Sequence, residues 1–313
     1  MIIGMCGDEF PDVRGFLARV WPDAEIVVLD PGNGRNARGI SVDVLVPLGG
    51  VVSADLMDET KPRMIQQFGV GLQGVDMAAA QARGIPVRNV SAGASGNAGA
   101  VAEVVLFHLL ALLRRFPQAQ QSLRHRRVGE PIGDTLAGKT VAVLGTGAIG
   151  GRVMRLLDSF GAVSLGIGRG ETSDLLPADR YYQAGRLTEA LANARALVVA
   201  VPLTEQTRGM VGAPQFAAMP PGGYLVNVGR GPVVDYQSLL DVLRSGHLAG
   251  AGLDVAWAEP IDPDDEIFRY NVLATPHIGG VTRESYAKMA DAFAASVEGT
   301  LGGNYGTVRE SSS

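Results

Sequence analysis

The chain of 313 residues is poor in the side chains that cross-link proteins or bind metals. It contains a single cysteine, Cys6, and only four histidines. One thiol excludes an internal disulfide and any metal site built from several thiolates, and it suits a reducing compartment. We therefore expect a cytoplasmic protein without a bound metal.

Excess positive charge and long hydrophobic runs are also lacking. The net charge is -5 at pH 7, so the protein would repel a polyanion such as nucleic acid. No segment approaches the roughly 18 consecutive apolar residues that a membrane helix needs. We expect neither nucleic acid nor a membrane among its partners.

Short apolar runs are abundant instead, and they alternate with segments of helical periodicity. Hydrophobic residues make up 46% of the chain, as in a globular protein, and the length allows about two domains. The alternation predicts parallel strands joined by crossover helices, which is an α/β fold. In the first part of the chain the predicted strands are 2–6, 25–29, 43–48, 64–68 and 86–90.

The alternation stops after residue 90 and resumes near residue 140. Residues 91–100, SAGASGNAGA, are small and predict a flexible hinge, and 101–116 predict a long apolar helix ended by Pro117. The later apolar runs predict a second, larger sheet buried on both faces. They are TVAVLG, AVSLGIG, ALVVAVPL, GYLVNVG, AGAGLDV and NVLATPH. The helical segment 283–301 follows the last run, and we expect it to return to the first domain.

The segment GTGAIG, residues 145–150, follows a predicted strand and opens a predicted helix. In this order the first glycine permits a tight turn, the second lets the backbone approach a diphosphate, and the third allows close packing of helix on strand. The diphosphate would lie at the helix N-terminus. We expect dinucleotide contacts from Gly145, Gly147, Ala148, Ile149 and Gly150.

The end of the next predicted strand indicates which dinucleotide binds. An NAD site usually has an acidic residue there that binds the adenosine ribose, but this strand ends in Gly168 and Arg169. A glycine leaves room for a 2′-phosphate, and a guanidinium binds phosphate with a forked, charge-assisted contact. NADP is therefore favoured over NAD. The alternative is that Arg169 is solvated or stacks on adenine, while Glu171 supplies the carboxylate.

Arg230, Glu259 and His277 each follow a different predicted strand. In a doubly wound sheet, ligands bind at the edge formed by the carboxyl ends of the strands. Together the three side chains suit redox chemistry at a 2-oxo acid. A guanidinium can hold the carboxylate, an imidazole can exchange a proton with the C2 oxygen, and a carboxylate can keep that imidazole charged.

These motifs occur in an order that resembles the D-isomer-specific 2-hydroxyacid dehydrogenase family. The matching segments are FGVGLQGVD, AVAEVVLFHLLALLRR, TVAVLGTGAIGGRV, LVVAVPLTEQTRGMV, YLVNVGRGPVVD, GAGLDVAWAEP and TPHIGGVT. The resemblance implies two doubly wound domains: a Rossmann-type cofactor domain, 97–282, inserted in a flavodoxin-like substrate domain, 1–96 plus 283–313. The active site would lie in the cleft between them. The implied activity is hydride transfer between NADP(H) or NAD(H) and C2 of a small 2-hydroxy or 2-oxo acid.

The resemblance also implies residue roles. Arg230 would bind the substrate carboxylate and carbonyl, and His277 would be the general acid/base with Glu259 as its partner. The backbone around Val70 and Gly71 would cap the substrate carboxylate. Further cofactor contacts would come from Val201, Pro202, Thr207, Val228 and Asp254, the last at the nicotinamide end.

Substrate and assembly follow less directly from the sequence. The short chain and the NADP-type strand end favour glyoxylate or hydroxypyruvate, with phosphorylated or larger 2-oxo acids as alternatives. Related formate dehydrogenases carry Gln where this chain has Glu259, which argues against formate. The helix beginning near Val101 resembles the family's dimerisation helix, so we expect a homodimer. A dinucleotide-sensing protein similar to corepressors related to the family is the alternative to an enzyme.

Three other features have open roles at this stage. Trp257 could line the substrate pocket or belong to the core or an interface. His108 lies in an apolar helix and is expected to be a packed or interface residue, not a catalytic one. The basic residues 124–127 could contact a subunit or a nucleotide phosphate, or form a solvated face.

Overall fold

Two parallel β-sheets with helices packed on them form the described part of the chain, residues 1–30, 39–169 and 178–302 of a computed structural model. The chain divides into two units. One comprises Met1–Asn97 and the segment from Thr282 onward, and the other comprises Ala98–Val281. The predicted α/β fold with two parallel sheets is confirmed.

The first unit contains a five-stranded sheet in the order β2-β1-β3-β4-β5, the flavodoxin-like order. Its strands are β1 (Ile2–Cys6), β2 (Glu25–Leu29), β3 (Val44–Val46), β4 (Met64–Gln67) and β5 (Val87–Asn89). Its helices are α1 (Asp12–Val20), α2 (Ala54–Thr60), α3 (Met77–Ala82), α4 (Ala92–Ser95) and, far along the chain, α11 (Arg283–Leu301).

Helix α11 has the predicted bounds and packs in the first unit. Its Phe293 ring meets Trp21 edge-on at 5.9 Å, and its Tyr286 ring meets Phe68 at 5.5 Å. The Thr282 side chain caps the helix by accepting a hydrogen bond from the backbone N–H of Ser285. Aromatic burial of this kind explains why a helix so distant in sequence belongs with the first sheet.

The second unit contains a seven-stranded sheet in the order β12-β11-β10-β9-β6-β7-β8. Its strands are β6 (Thr140–Leu144), β7 (Val163–Gly168), β8 (Arg180–Gln183), β9 (Ala196–Val199), β10 (Gly223–Asn227), β11 (Leu248–Leu253) and β12 (Val272–Ala274). Its helices are α5 (Ala98–Leu113), α6 (Phe116–Arg124), α7 (Ala148–Ser159), α8 (Leu187–Leu191), α9 (Ala213–Ala218) and α10 (Tyr236–Arg244). From β8 to β11 the order is that of a dinucleotide-binding sheet.

Two local features differ from a simple reading of the sequence. Residues 91–100, predicted as a hinge, contain α4 and the start of α5, and the boundary between the two units falls among them. The prediction that Pro117 ends the long helix is wrong: α5 ends at Leu113, Arg115 adopts a left-handed conformation (φ 52°), and Pro117 lies in the first turn of α6. A proline is tolerated there because the first N–H groups of a helix have no partner within the helix.

Candidate active site

The sheet of the second unit brings the three predicted catalytic side chains to one edge. Arg230 follows β10, Glu259 follows β11 and His277 follows β12, and these strands are neighbours and parallel. Their carboxyl ends therefore meet at the same edge, as the sequence predicted. The glycine-rich loop that follows β6 opens at that edge too.

His277 and Glu259 form a direct pair. The distance from His277 Nδ1 to Glu259 Oε2 is 2.8 Å, and the two side chains are 30% and 40% exposed. The second carboxylate oxygen, Oε1, accepts a hydrogen bond from the Ala256 backbone N–H at 3.1 Å. Burial would raise the pKa of Glu259, but the bond to His277, the charge of His277, the Ala256 N–H and Arg230 together lower it. The carboxylate therefore stays ionised beside the imidazole.

The backbone around His277 is fixed by Asp254. His277 itself has a left-handed conformation (φ 55°), which costs energy in a residue other than glycine. The next two backbone N–H groups, of Ile278 and Gly279, donate to Oδ1 and Oδ2 of Asp254, each at 2.9 Å. A Cβ on Gly279 would lie 2.7 Å from Asp254 Oδ2, so only glycine permits this contact.

Asp254 is 3% exposed, and burial raises its pKa. Hydrogen bonds from the Thr275 hydroxyl and from the two backbone N–H groups, with the charge of His277, act in the opposite direction. Asp254 therefore accepts hydrogen bonds that hold the loop carrying His277.

Arg230 is held from its backbone side by Asn227. The Asn227 amide donates to the Arg230 carbonyl at 3.0 Å, and its amide oxygen accepts from the Gly229 N–H at 3.0 Å. The Arg230 guanidinium donates to the Gly229 carbonyl at 2.7 Å. Burial lowers the pKa of Arg230, whereas the charges of Glu259 and Asp254 raise it. The Arg230 guanidinium therefore interacts electrostatically with both carboxylates.

The glycine-rich loop has the geometry that a dinucleotide needs. Gly145 is left-handed (φ 107°), and a Cβ there would lie 2.6 Å from the Ala200 carbonyl oxygen. A Cβ on Gly150 would overlap the Gly145 carbonyl, whereas one on Gly147 would meet nothing within 4 Å. Gly147 is the N-cap of α7, so the open space beside it adjoins the N-terminus of that helix. The residues present fit a diphosphate bound at this helix N-terminus.

Gly168, at the end of β7, does not simply leave room for a phosphate. A Cβ there would lie 2.6 Å from Thr146 Oγ1 and 2.7 Å from the Tyr181 hydroxyl oxygen. The space beside this glycine is therefore occupied by two hydroxyl groups, which the sequence did not reveal. Arg169 follows as an exposed residue. Glu171, the alternative ribose ligand, lies outside the described residues.

Of the other predicted cofactor residues, Val201 lies beside the same loop, because a Cβ on Gly145 would lie 3.0 Å from Val201 Cγ1. The Val228 N–H donates to the Val199 carbonyl, and a Cβ on Gly229 would lie 2.6 Å from the Val201 carbonyl oxygen, so the segments after β9 and β10 are in contact. Thr207 has an organising role. Its hydroxyl donates to the Pro202 carbonyl at 2.7 Å and accepts from the Thr204 N–H at 2.8 Å.

In the first unit, the predicted carboxylate-binding loop follows β4. The Gly69 carbonyl accepts from the Val90 N–H, the Val70 carbonyl from the Asn89 amide, and the Gly71 carbonyl from the Gln67 amide. Each peptide plane directs its N–H opposite to its carbonyl. The N–H groups of Val70 and Gly71 therefore point away from these partners.

Sequence reasoning missed several residues that shape these loops. Asn227, Thr275 and Gln67 hold backbone or carboxylate groups of the site, and an ordinary polar residue in a buried strand or before a proline gives little signal for that role. Trp257 has a clear environment: its indole N–H donates to the Val234 carbonyl at 2.7 Å, and its ring packs on Tyr236 at 5.0 Å. It belongs to the core around α10.

The comparisons with known proteins agree with this geometry. A model of the D-isomer specific 2-hydroxyacid dehydrogenase NAD-binding domain matches residues 106–279. Glyoxylate/hydroxypyruvate reductase A of Arabidopsis thaliana is 31% identical over 290 residues, which cover 92% of this chain and 90% of that protein. The chain belongs to the D-isomer specific 2-hydroxyacid dehydrogenase family. It is an NAD(P)-dependent oxidoreductase of that family.

Two further relatives show how wide this dehydrogenase family is. D-3-phosphoglycerate dehydrogenase of Mycobacterium tuberculosis is 34% identical over 298 residues, but this chain spans only 52% of its length. An NADPH-dependent glyoxylate/hydroxypyruvate reductase of Sinorhizobium meliloti, solved with NADP and malonate, has 32% identity and a TM-score of 0.78. That match covers 93% of this chain and 91% of the other.

Membrane-spanning helices and metal-binding clusters are both missing from the described residues. Among residues 1–30, 39–169 and 178–302, no helix has the length and apolarity to cross a membrane. Over the same ranges, no three His, Cys, Asp or Glu side chains are grouped so that they could hold a metal ion.

Proposed function

We propose that the protein reduces small, unphosphorylated 2-oxo acids, glyoxylate and hydroxypyruvate above all, with NADPH. The observation that carries the chemistry is the His277–Glu259 pair at 2.8 Å, on the same sheet edge as Arg230. A charged imidazole beside a guanidinium suits a substrate that has a carboxylate next to a carbonyl that must be protonated.

Each side chain then has one role. Arg230 binds the substrate carboxylate with its planar fork, and the N–H groups of Val70 and Gly71 bind carboxylate oxygens. His277 gives its proton to the C2 oxygen as negative charge develops there, and Glu259 stabilises the imidazolium before transfer. The bound dinucleotide supplies the hydride that C2 accepts. Oxidation of the 2-hydroxy acid uses the same groups in reverse.

The cofactor is proposed to lie along the carboxyl edge of the second sheet. Gly145, Gly147, Ala148, Ile149 and Gly150 would hold the diphosphate at the N-terminus of α7. The residues after β9 and β10, namely Val201, Pro202, Thr207 and Val228, and Asp254 after β11 would line the path to the nicotinamide. Arg169 would bind the 2′-phosphate of NADPH, with Gly168 beside it.

The preference for unphosphorylated acids is supported by the relatives. Glyoxylate/hydroxypyruvate reductases of Arabidopsis thaliana and Sinorhizobium meliloti are 31% and 32% identical to this chain. The test is a panel of glyoxylate, hydroxypyruvate, 3-phosphohydroxypyruvate, pyruvate and 2-oxoisocaproate, each with NADPH and NADH. The highest kcat/KM with glyoxylate or hydroxypyruvate and NADPH is expected. A higher kcat/KM with the phosphorylated acid would contradict the proposed substrate.

We propose a homodimer that forms through residues 107–132, which include the second half of α5 and all of α6. This segment exposes large apolar side chains, which monomers rarely gather in one place. They are Phe107, Phe116, Leu123, Val128 and Ile132. Sedimentation of the wild type should give a dimer, and Leu123→Asp combined with Ile132→Asp should give a monomer. A monomeric wild type would contradict the assembly.

A cytoplasmic location is also proposed, on the grounds of thiol chemistry. Cys6 is buried, and burial raises its pKa to about 12, so the thiol stays protonated and unreactive. A single buried and protonated thiol forms no disulfide, which suits a reducing compartment. Fractionation of the source cells should recover the activity with cytoplasmic markers, and recovery with another compartment would contradict the proposal.

A further inference from the structure

His108 is a buried histidine that the proposed reaction does not use. It lies on α5 and is 0% exposed. The side chain lies against Gly252 of β11, where a Cβ would come within 2.6 Å of the His108 Cβ. The glycine therefore lets the imidazole reach the sheet two residues before Asp254. Burial lowers the pKa of His108 to about 4, so the ring is neutral at physiological pH.

A chain of hydrogen bonds leads from His108 to Asp254. His108 Nε2 lies 3.1 Å from Thr275 Oγ1, which lies 2.6 Å from Asp254 Oδ1. An ionised carboxylate only accepts, so the Thr275 hydroxyl donates to Asp254 and its oxygen accepts from His108. This direction assigns the neutral His108 ring a proton on Nε2. The other nitrogen, Nδ1, has no hydrogen-bond partner among the described residues.

Asp254 in turn holds the segment that carries His277. Its two oxygens accept from the N–H groups of Ile278 and Gly279, and the His277 N–H donates to the Thr275 carbonyl at 2.9 Å. The left-handed backbone of His277 is thus enclosed by bonds on both sides. A strained conformation persists only where its surroundings determine it this fully.

We infer that His108 is a positioning residue, which orients Thr275 and through it Asp254 so that the His277 imidazole is held for proton transfer. The inference rests on the proposed role of His277. Without the Nε2–H donor, the Thr275 hydroxyl has no fixed acceptor geometry and can turn away from Asp254. Asp254 then holds the two backbone N–H groups of the His277 loop less firmly, and small misplacements of a reacting group cost much of the rate.

The test compares three variants on α5. His108→Leu removes the donor, His108→Gln keeps an N–H donor at a similar reach, and Leu109→Ala removes packing from the neighbouring buried position. With glyoxylate and NADPH we expect His108→Leu to lower kcat by about ten-fold, with little change in KM for glyoxylate. His108→Gln should restore most of kcat, and Leu109→Ala should leave it unchanged. Unchanged kcat in His108→Leu, or equal losses in all three variants, would overturn the inference.

Thr275→Val breaks the same chain from its other end and serves if His108→Leu does not fold. In the Thr275→Val background, His108→Leu should lower kcat no further, because the two side chains act through one bond. Additive losses would overturn the inference. His277→Ala is assayed alongside. If His277→Ala keeps kcat, the proposed function fails, whereas a large loss there with normal kcat in His108→Leu removes only the role of His108.

Histidine ¹⁵N NMR of the cofactor-free protein gives a reading without turnover. The chain has only four histidines, so single substitutions assign the ring signals. His108 should be the neutral Nε2–H tautomer at pH 7, and His108→Leu should shift the signals of His277 more than Leu109→Ala does. A His108 ring protonated on Nδ1, or a His277 signal that ignores His108, would overturn the inference.

Discussion

Arg230 shows how one residue combines two requirements. Its side chain is partly buried, which strengthens the electrostatic interaction between the guanidinium and a bound anionic ligand. The nearby carboxylates of Glu259 and Asp254 offset the free-energy cost of burying the charge. Arginine stays charged in such a place, where a lysine would not reliably do so. The residue type is therefore part of the proposed chemistry, beyond its positive charge.

Arg230→Lys should lower kcat/KM for the 2-oxo acid by about ten-fold or more, because an ammonium cannot reproduce the forked contact with a carboxylate. The measurement is steady-state reduction of glyoxylate at saturating NADPH. Arg269→Lys, an exposed substitution of the same type, is the control and should match the wild type. An unchanged kcat/KM in Arg230→Lys would reassign Arg230 to a structural role.

Arg169 carries the prediction about the cofactor. A charged hydrogen bond to the 2′-phosphate contributes roughly 1.5–3 kcal/mol, so Arg169→Ala should raise KM for NADPH by about 10- to 150-fold. KM for NADH should hardly change. Substitution of Gly168 is a poorer probe, since a Cβ there meets the hydroxyls of Thr146 and Tyr181.

Arg180→Ala is the matched control for Arg169. Arg180 is also exposed, but it pairs with Leu165 near the other end of β7, away from the carboxyl edge. It should leave both KM values unchanged. If the wild type itself uses NADH as well as NADPH, Arg169 is a solvated or adenine-stacking residue and the NADP preference is wrong.

At the level of elements, helix α7 makes one very close contact with the turn that follows β6. A Cβ on Gly150 would overlap the Gly145 carbonyl, so Gly150→Ala must displace the helix from the turn. Such overpacking typically costs about 1–3 kcal/mol, and it should also raise KM for NADPH and NADH alike. The measurements are urea unfolding and cofactor titration.

Gly151, one residue later, is the control for Gly150. A Cβ there meets nothing within 4 Å, and the residue lies inside α7. Gly151→Ala should therefore stabilise the protein by about 0.5–1 kcal/mol, since alanine loses less backbone entropy in a helix. Equal changes in the free energy of unfolding for the two substitutions would show that α7 does not pack closely on the turn at Gly145.

The elements that the sequence predicted well have strong periodic or apolar signals. Helix α11 was expected at 283–301 and lies at Arg283–Leu301, because its apolar face recurs regularly and Thr282 caps it. Strand β8, Arg180–Gln183, was missed because an edge strand of sequence RYYQ has no apolar run. The break between α5 and α6 was misplaced because a proline gives the same signal at a helix start and after a helix end.

The site was predictable to the extent that strand ends determine it. Arg230, Glu259 and His277 follow adjacent parallel strands, so the topology alone brings them to one edge. The contacts of His108 were not predictable, because they depend on Gly252 admitting the ring and on the orientation of the Thr275 hydroxyl. No periodicity in the sequence encodes either.

For the whole molecule, buried His108 links stability to acid. Burial lowers its pKa from 6.5 to about 4, so between these values the unfolded chain binds the proton and the folded protein does not. The part of the free energy of unfolding that is linked to His108 is fully present above pH 6.5 and is lost as the pH falls towards 4. The shift corresponds to about 3 kcal/mol in the free energy of unfolding.

His108→Gln should remove this part of the acid sensitivity. Between pH 7 and pH 4, the free energy of unfolding from urea titrations should fall by about 3 kcal/mol less in the variant than in the wild type. His125→Gln, at an exposed position, should behave as the wild type does. Parallel pH curves for His108→Gln and the wild type would mean that the pKa of His108 is the same in the folded and the unfolded protein.

The proposed reaction depends on proton transfer by His277 in an NADPH-linked reduction. The direct measurement is kcat for glyoxylate reduction by His277→Ala, together with NADPH binding followed by cofactor fluorescence. We predict a kcat at least about 10²-fold below the wild type, as expected for loss of a general acid, with unchanged NADPH affinity. A kcat close to that of the wild type, with intact cofactor binding, would contradict the proposed role of His277.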